Sequence, residues 1–355
     1  MVLKSKHHHF TTILLHWHSI ENTRNMPWKS EKDPYKIWLS EIILQQTQVS
    51  QGLGYYKNFV EKYPSIGQLA AAPEQEIFKL WEGLGYYSRC RNLIITAKNI
   101  AANYAGKFPS HYDELLKLKG IGPYTAAAIA SFAFNKPHAV LDGNVSRVLS
   151  RFFCIHTAID SSEGRKQLEL LAEKLLDKKA PALYNQAIMD FGAVICKPRQ
   201  PLCDQCLLQP YCCAFKKNLV NQLPFKSKKI KKTERWFYYF ILQKEDKIMV
   251  FHRNKKDIWQ NLNEFLLVEA DGNINPLQIL RRKKMQSLLG KGFVVTHSSK
   301  TYQQVLTHQT IYGYFVKLSV KQFPLIDHSI SADKFQLEKI AFPRMIRHYL
   351  DDFPL

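Results

Sequence analysis

Four cysteines, Cys196, Cys203, Cys206 and Cys212, fall within one loop at the spacing C-x6-C-x2-C-x5-C. A loop this short must take its shape from whatever the four thiols bind, so the spacing constrains the fold more than any other feature. Zinc sites usually join two separate C-x2-C knuckles, whereas a compact loop with a single C-x2-C suits four thiolates wrapped around an iron-sulfur cube. A zinc site and a set of unrelated buried cysteines are the alternatives. Disulfides fit poorly, because the chain has seven cysteines, an odd number, and no secretory segment precedes them.

A chain of 355 residues is long enough for two or three domains with cores of their own. Fifty Lys and Arg against thirty Asp and Glu give a formal net charge of +20, which favours a polyanionic partner. Nucleic acid suits this charge better than a membrane, since no apolar run approaches the roughly 20 residues needed to span a bilayer. The N-terminal stretch has too short an apolar segment and no small-residue cleavage site. His7 to His9 read as part of a solvated leader.

Residues 10–215 show apolar positions recurring every three to four residues between Gly- and Pro-marked turns, which predicts an all-α half. Asp33 and Pro34 start one helix as N-cap and first residue, and Gly52 with Gly54 are expected to mark its end. Further helices are predicted near 74–81, 88–103, 112–118, 123–133, 144–154, 163–177 and 181–194. Residues 216–235 are rich in lysine and poor in large apolar side chains, so they read as a basic linker. From 236 to 350 the pattern becomes α/β, with strands at 236–242, 248–251, 293–297, 302–307 and 310–318 and helices near 276–289 and 343–350.

Leu118-Lys-Gly-Ile-Gly-Pro-Tyr-Thr125 joins two helices through a turn containing Gly120 and Gly122. Glycines permit a tight turn, and the free N–H groups of the following helix offer a phosphate site, which is a helix-hairpin-helix signature for gripping a DNA backbone. Asp142 precedes a helix start, where N–H groups and the helix dipole are expected to keep its carboxylate ionised with a lowered pKa. Glu41 lies mid-helix among large apolar neighbours, so desolvation is expected to raise its pKa toward neutrality and make it a proton donor. Two carboxyls tuned apart are what cleavage of a C–N glycosidic bond requires.

Tyr35-Lys-Ile-Trp-Leu-Ser-Glu-Ile-Ile-Leu-Gln-Gln-Thr-Gln-Val49, Trp81-Glu-Gly-Leu-Gly-Tyr-Tyr-Ser-Arg89, the hairpin, Leu141-Asp-Gly-Asn-Val145 and the four-cysteine loop occur in that order. Together they resemble the MutY-type adenine DNA glycosylases of the endonuclease III superfamily. The resemblance implies removal of adenine mispaired with 8-oxoguanine or guanine in double-stranded DNA, with a [4Fe-4S] cluster as cofactor. It also implies that Glu41 protonates adenine, Asp142 stabilises the cationic sugar, and Tyr124 and Asn144 support them. Trp28, Lys29, Leu44 and Gln186 match the adenine pocket, Lys29 standing where relatives often carry Arg. Gln46 and Tyr86 match residues that wedge into the stack around 8-oxoguanine, with Thr47 and Leu84 beside its edge.

Tyr124 occupies the place where glycosylase/lyase relatives carry a nucleophilic lysine. A tyrosine cannot form a Schiff base, so a monofunctional enzyme that leaves an abasic site is expected. The C-terminal part resembles the family's Nudix-like reader, with Asp257 to Phe265 and Ala341 to Pro343 as matching motifs. The metal-binding carboxylates of a true Nudix hydrolase are missing. Thr307 and His308 stand at its 8-oxoguanine-sensing loop, with Leu306 where the family has Phe. The competing readings are a helix-hairpin-helix glycosylase for thymine or an oxidised pyrimidine, and a non-catalytic DNA-damage binding protein. A monomer is expected, located in the bacterial cytoplasm with the nucleoid, or in the nucleus of a eukaryote.

Overall fold

The computed structural model describes residues 2–227, 231–290 and 292–354. Helices α1 (Val2–Ile20), α2 (Pro34–Leu44), α3 (Val49–Lys62), α4 (Ile66–Ala71), α5 (Glu74–Leu80), α6 (Tyr87–Asn103), α7 (Tyr112–Leu115), α8 (Pro123–Phe134), α9 (Gly143–Phe153), α10 (Ser162–Leu175), α11 (Pro181–Val194) and α12 (Cys213–Lys216) come first. Strands β1 (Thr233–Lys244), β2 (Lys247–His252), β3 (Asn263–Glu264) and β4 (Leu266–Ala270) follow, then α13 (Pro276–Leu280), α14 (Lys283–Leu289), β5 (Phe293–Ser298), β6 (Tyr302–Val305), β7 (Gln309–Val320), β8 (Ser329–Ala332), α15 (Lys334–Lys339) and α16 (Arg344–Asp352). Contacts divide the chain into two compact units, Met1–Ala70 with Ile95–Lys228, and Ala71–Ile94 with Lys229–Leu355. The segment 71–94, expected in the all-α half, therefore belongs with the α/β unit.

The first unit is built on helical stripes. Val145, Val148, Leu149 and Phe152 of α9 and Tyr184, Ala187, Ile188 and Phe191 of α11 recur at i, i+3, i+4 and i+7, and these residues share one core with Phe10, Leu14 and Trp17 of α1. Each large side chain so buried contributes about 1.5–3 kcal/mol. His7 to His9 are carried on α1 rather than on a free leader, with the His9 ring stacked on Tyr211 at 5.3 Å and His7 edge-on to Phe153 at 5.6 Å.

Asp33 caps α2 as expected, its Oδ1 accepting from Tyr35 N at 2.9 Å. The end of that helix differs from expectation. It stops at Leu44, Gln46 takes φ 55°, and Gly52 and Gly54 lie inside α3 instead of terminating α2. Gly52 has a packing reason: a Cβ there would stand 2.8 Å from Leu44 Cδ2 and 3.3 Å from Ile43 Cγ2, so its hydrogen lets α3 close on α2.

The linker expectation holds only in part. Leu223 is buried and its carbonyl accepts from Arg151 Nε at 2.9 Å, the Phe225 carbonyl accepts from Ile159 N at 3.0 Å, and Ser227 N donates to Asp160 at 3.0 Å. Positions 216–227 are thus folded onto the first unit, and β1 begins at Thr233. Positions 228–230 of the expected linker lie outside the described residues.

The second unit carries a mixed sheet in the order β3-β2-β1-β7-β5, with β4 on β1, β6 on β7 and β8 on β2. β1 and β7 run parallel, Trp236 opposite Tyr312 and Phe240 opposite Val316. Phe237 to Leu242 are all fully buried, as a continuous apolar run demands when both faces of a strand are covered. Ile279, Leu280 and Met285 from α13 and α14 pack with Tyr238, Phe240 and Leu242, while Tyr349 of α16 stacks on Phe315 at 4.2 Å.

Candidate active site

α2, α8, α9 and α11 enclose a cavity of about 670 Å³ in the first unit. Its lining includes Glu41, Tyr124, Asp142, Asn144, Trp28, Lys29, Leu44, Gln186, Gln46 and Thr47, which the sequence assigned to catalysis, the adenine pocket and the edge of the opposite base. Positions more than 150 residues apart, such as Trp28 and Gln186, thus converge on one space.

Glu41 is 8% exposed, and burial pushes its carboxyl up to about 7. The Tyr124 hydroxyl opposes this shift by hydrogen bonding, and the nearby Asp142 adds to it. Asp142 is the N-cap of α9: its Oδ1 accepts from Val145 N at 2.7 Å and its Oδ2 from Asn144 Nδ2 at 2.7 Å. Its pKa is raised, not lowered as expected, because desolvation in the cavity outweighs the cap bonds and the charge of Arg147. Two carboxyls in one low-dielectric space do not readily ionise together. Asp142 has four interactions favouring its anion, from the Val145 and Asn144 backbone N–H groups, the Asn144 side chain and the Arg147 guanidinium, so of the two carboxyls it is the better placed to carry the negative charge.

Asn144 is itself held in place. Arg147 Nη2 donates to Asn144 Oδ1 at 2.9 Å and to the Gly192 carbonyl at 2.6 Å, and its Nε donates to the Cys196 carbonyl at 2.7 Å. A Cβ on Gly192 would sit 2.7 Å from Asn144 Cβ, so the glycine lets α11 approach the start of α9. Asp190, fully buried, organises the opposite wall. It accepts from Asn22 and Arg24 at 2.8 Å and from Gln186 at 3.0 Å, and pairs with Lys29 at 3.0 Å. Burial opposes its ionisation, yet the bonds from Asn22, Lys29 and Arg24 prevail and hold its pKa below the usual carboxylate value. Sequence reasoning missed Asp190 and Arg147. Their only signals were i,i+4 spacing from Gln186 and i,i+3 spacing from Asn144.

In the hairpin, Gly120 takes φ 78° and Gly122 is the N-cap of α8, with Pro123 at the first helical position. The Lys119 carbonyl accepts from Thr96 Oγ1 at 2.6 Å, which ties the turn to α6. The turn has the free helix N-terminus that the sequence motif requires.

In the second unit, Tyr86 has φ 47°, is 44% exposed, and its hydroxyl meets Thr307 Oγ1 at 2.8 Å. Thr307 and His308 form the tip between β6 and β7, closed by Leu306 N donating to the Gln309 carbonyl at 2.8 Å. Leu84 is 4% exposed and supports its loop from within rather than presenting an edge.

Cys196, Cys203, Cys206 and Cys212 lie outside any disulfide and line one pocket with Arg151, Ile195, Leu202 and Phe215. Arg151 Nη1 donates to Cys196 Sγ at 3.4 Å and to the Lys197 carbonyl at 2.7 Å. Among the described residues, no three of His, Cys, Asp and Glu converge closely enough to bind a single metal ion. Contrary to the disfavoured role of disulfides, Cys154 and Cys213 are bonded, since the C-cap of α9 and the start of α12 bring them together across 59 residues. Cys90 is buried.

Residues 39–174 match the HhH-GPD superfamily of base excision DNA repair proteins. The adenine DNA glycosylase of Buchnera aphidicola subsp. Schizaphis graminum is 35% identical over 78% of this chain and 79% of its own length. That of Buchnera aphidicola subsp. Baizongia pistaciae is 39% identical over 71% and 72%. Among solved structures, a thermostable thymine-DNA glycosylase matches at TM-score 0.57 and 31% identity, over 61% of this chain and 100% of that one. Endonuclease III in a non-covalent DNA complex shares the fold at TM-score 0.52 and 24% identity, over 60% and 98%. The cavity, the hairpin and these relatives agree: the chain belongs to the MutY-type adenine DNA glycosylases of base excision repair.

Proposed function

We propose that this adenine DNA glycosylase excises adenine by acid catalysis from Glu41, opposite 8-oxoguanine or guanine. The observation carrying the reading is that Glu41 and Asp142 share one cavity in which burial raises both carboxyls, while hydrogen bonds from Val145 N and Asn144 and the charge of Arg147 favour the anion on Asp142. An extruded adenine enters between Trp28, Leu44 and Gln186, with Lys29 held at its edge by Asp190. Glu41 delivers its proton to the base as the C–N bond lengthens, which removes the penalty of expelling an anionic leaving group. Asp142 stabilises the oxocarbenium charge on the sugar, and Asn144 and Tyr124 fix the two carboxyls relative to each other. Water then completes the transfer and leaves an abasic site. Tyr124 supplies no amine, so no Schiff base forms and the strand stays intact.

Gln46, Thr47, Tyr86, Thr307 and His308 are the residues we assign to the base opposite adenine. Gly120 and Gly122 grip the backbone through main-chain N–H groups. The second unit acts as the Nudix-like reader of the mismatch. The four cysteines suit a [4Fe-4S] cluster: all are thiols lining one pocket, and as thiolates they would hold it. Such a cluster, when bound, cross-links the loop through metal–thiolate bonds.

The test is single-turnover incubation with duplexes containing A·8-oxoguanine, A·G or T·G, followed by alkali to cut abasic sites. Adenine release from the first two is expected, with little borohydride-trapped complex and no strand cleavage before alkali. Asp142→Asn should abolish release while leaving duplex affinity within a few-fold. Release of thymine in preference to adenine would overturn the substrate assignment.

A further inference from the structure

Glu82 lies at the base of the loop whose tip is Tyr86. Its Oε1 accepts from Phe342 N at 2.8 Å and from Arg347 Nη2 at 3.1 Å and Nε at 3.3 Å, while its Oε2 accepts from Lys79 Nζ at 2.7 Å. Lys79 Nζ and Arg347 Nη2 each also donate to the Ile340 carbonyl, at 3.3 and 3.1 Å. The receiving segment is firmly set, because Phe342 is fully buried, lies 5.6 Å from the Phe265 ring and is covered by the Arg347 guanidinium at 5.5 Å.

From this anchor to the tip the loop has little freedom. Trp81 Nε1 donates to the Gly85 carbonyl at 3.0 Å, Gly83 N to the Tyr87 hydroxyl at 3.2 Å, and Arg89 Nη2 to Gly85 at 3.3 Å. Tyr86 then meets Thr307 at 2.8 Å. The second unit holds the same loop twice, at its base through Glu82 and at its tip through Thr307.

We propose that Glu82 is a positioning residue for recognition of the base opposite adenine, its carboxylate setting the Trp81–Tyr86 loop so that Tyr86 and Thr307 meet at one surface point. This rests on the reading that Tyr86 and Thr307 contact that base. Removing the carboxylate leaves two cations, Lys79 and Arg347, facing each other and strips the Phe342 N–H of its acceptor. The loop then loses its register while Glu41 and Asp142, in the other unit, keep theirs. The consequence is a loss of discrimination between opposite bases rather than a uniform loss of rate.

The experiment compares single-turnover excision from A·8-oxoguanine and A·G duplexes, with 2-aminopurine beside the lesion reporting entry of the loop into the stack. Glu82→Ala is expected to lower the preference for A·8-oxoguanine about tenfold and to blunt the fluorescence rise, the range of coupling carried by a charge-assisted anchor. Glu82→Gln, which keeps an acceptor for Phe342 N, should lose about threefold and serves if the alanine variant folds poorly. Tyr86→Ala is the control for the underlying reading. If it removes the preference and both Glu82 variants keep it, the inference falls alone. If Tyr86→Ala also leaves the preference unchanged, the loop does not read the opposite base, and inference and reading fall together. An equal fall in excision from both duplexes in Glu82→Ala and Glu82→Gln, with the preference unchanged, would show general destabilisation and overturn the positioning role.

Discussion

Glu41→Gln should inactivate the enzyme and stabilise it. Burial moves this carboxyl from 4.5 to about 7, so below pH 4.5 it is protonated in both the folded and unfolded chain and costs nothing. Above the folded value the native state must hold a buried anion, and the displacement corresponds to about 3 kcal/mol of lost stability at pH 8. The sign follows from the raised pKa: stability present at low pH is lost as pH rises through about 7. Glutamine keeps the shape without the charge, so the variant should be about 3 kcal/mol more stable than the parent at pH 8, with the gain fading toward pH 5. Urea unfolding of the two proteins at pH 5, 7 and 8 measures this directly. In the proposed mechanism the same proton is the one delivered to the base. The single-turnover rate of the parent should fall as pH rises above about 7, and the variant should lose about 10²- to 10⁴-fold at neutral pH. A pH-independent stability difference, or near-normal excision by the variant, would refute the assignment of the proton donor.

Gly52→Ala should cost about 1–3 kcal/mol by overpacking α3 against Leu44 and should also weaken adenine release, because Leu44 lines the cavity; thermal unfolding and single-turnover assays check both. Anaerobically purified protein should contain about four irons and about four sulfides per chain, and Cys90→Ala should leave that content unchanged. Stoichiometric zinc without sulfide would exclude the cluster. Replacing both Thr307 and His308 with alanine should reduce the preference for A·8-oxoguanine over A·G by about 1–3 kcal/mol, measured as the ratio of affinities, while excision itself survives.

Much of the site was legible because its signals are local. A cap followed by a proline starts α2 whatever surrounds it, a turn with Gly120 and Gly122 has few other uses, and the large neighbours of Glu41 announce its desolvation along the chain itself. Residues assigned from separate motifs line one space. What escaped notice depends on distant partners. Asp190 looks like any helical aspartate until Asn22, Arg24 and Lys29 converge on it from more than 150 residues away. The break between α2 and α3 was misplaced because Gly52 serves a helix contact, not a helix end.

Asp142 marks the boundary between the two kinds of information. The sequence by itself determined that it caps a helix, because capping is a matter of neighbouring residues and backbone N–H groups. Only the tertiary structure decided that its pKa rises, because the water lost in the cavity is displaced by α2, α8 and α11, none of which adjoins Asp142 in the chain. Glu82 follows the same rule. Its position at the base of a loop is written in sequence, but its partners Phe342 and Arg347 lie about 260 residues further on, where only the folded chain can bring them.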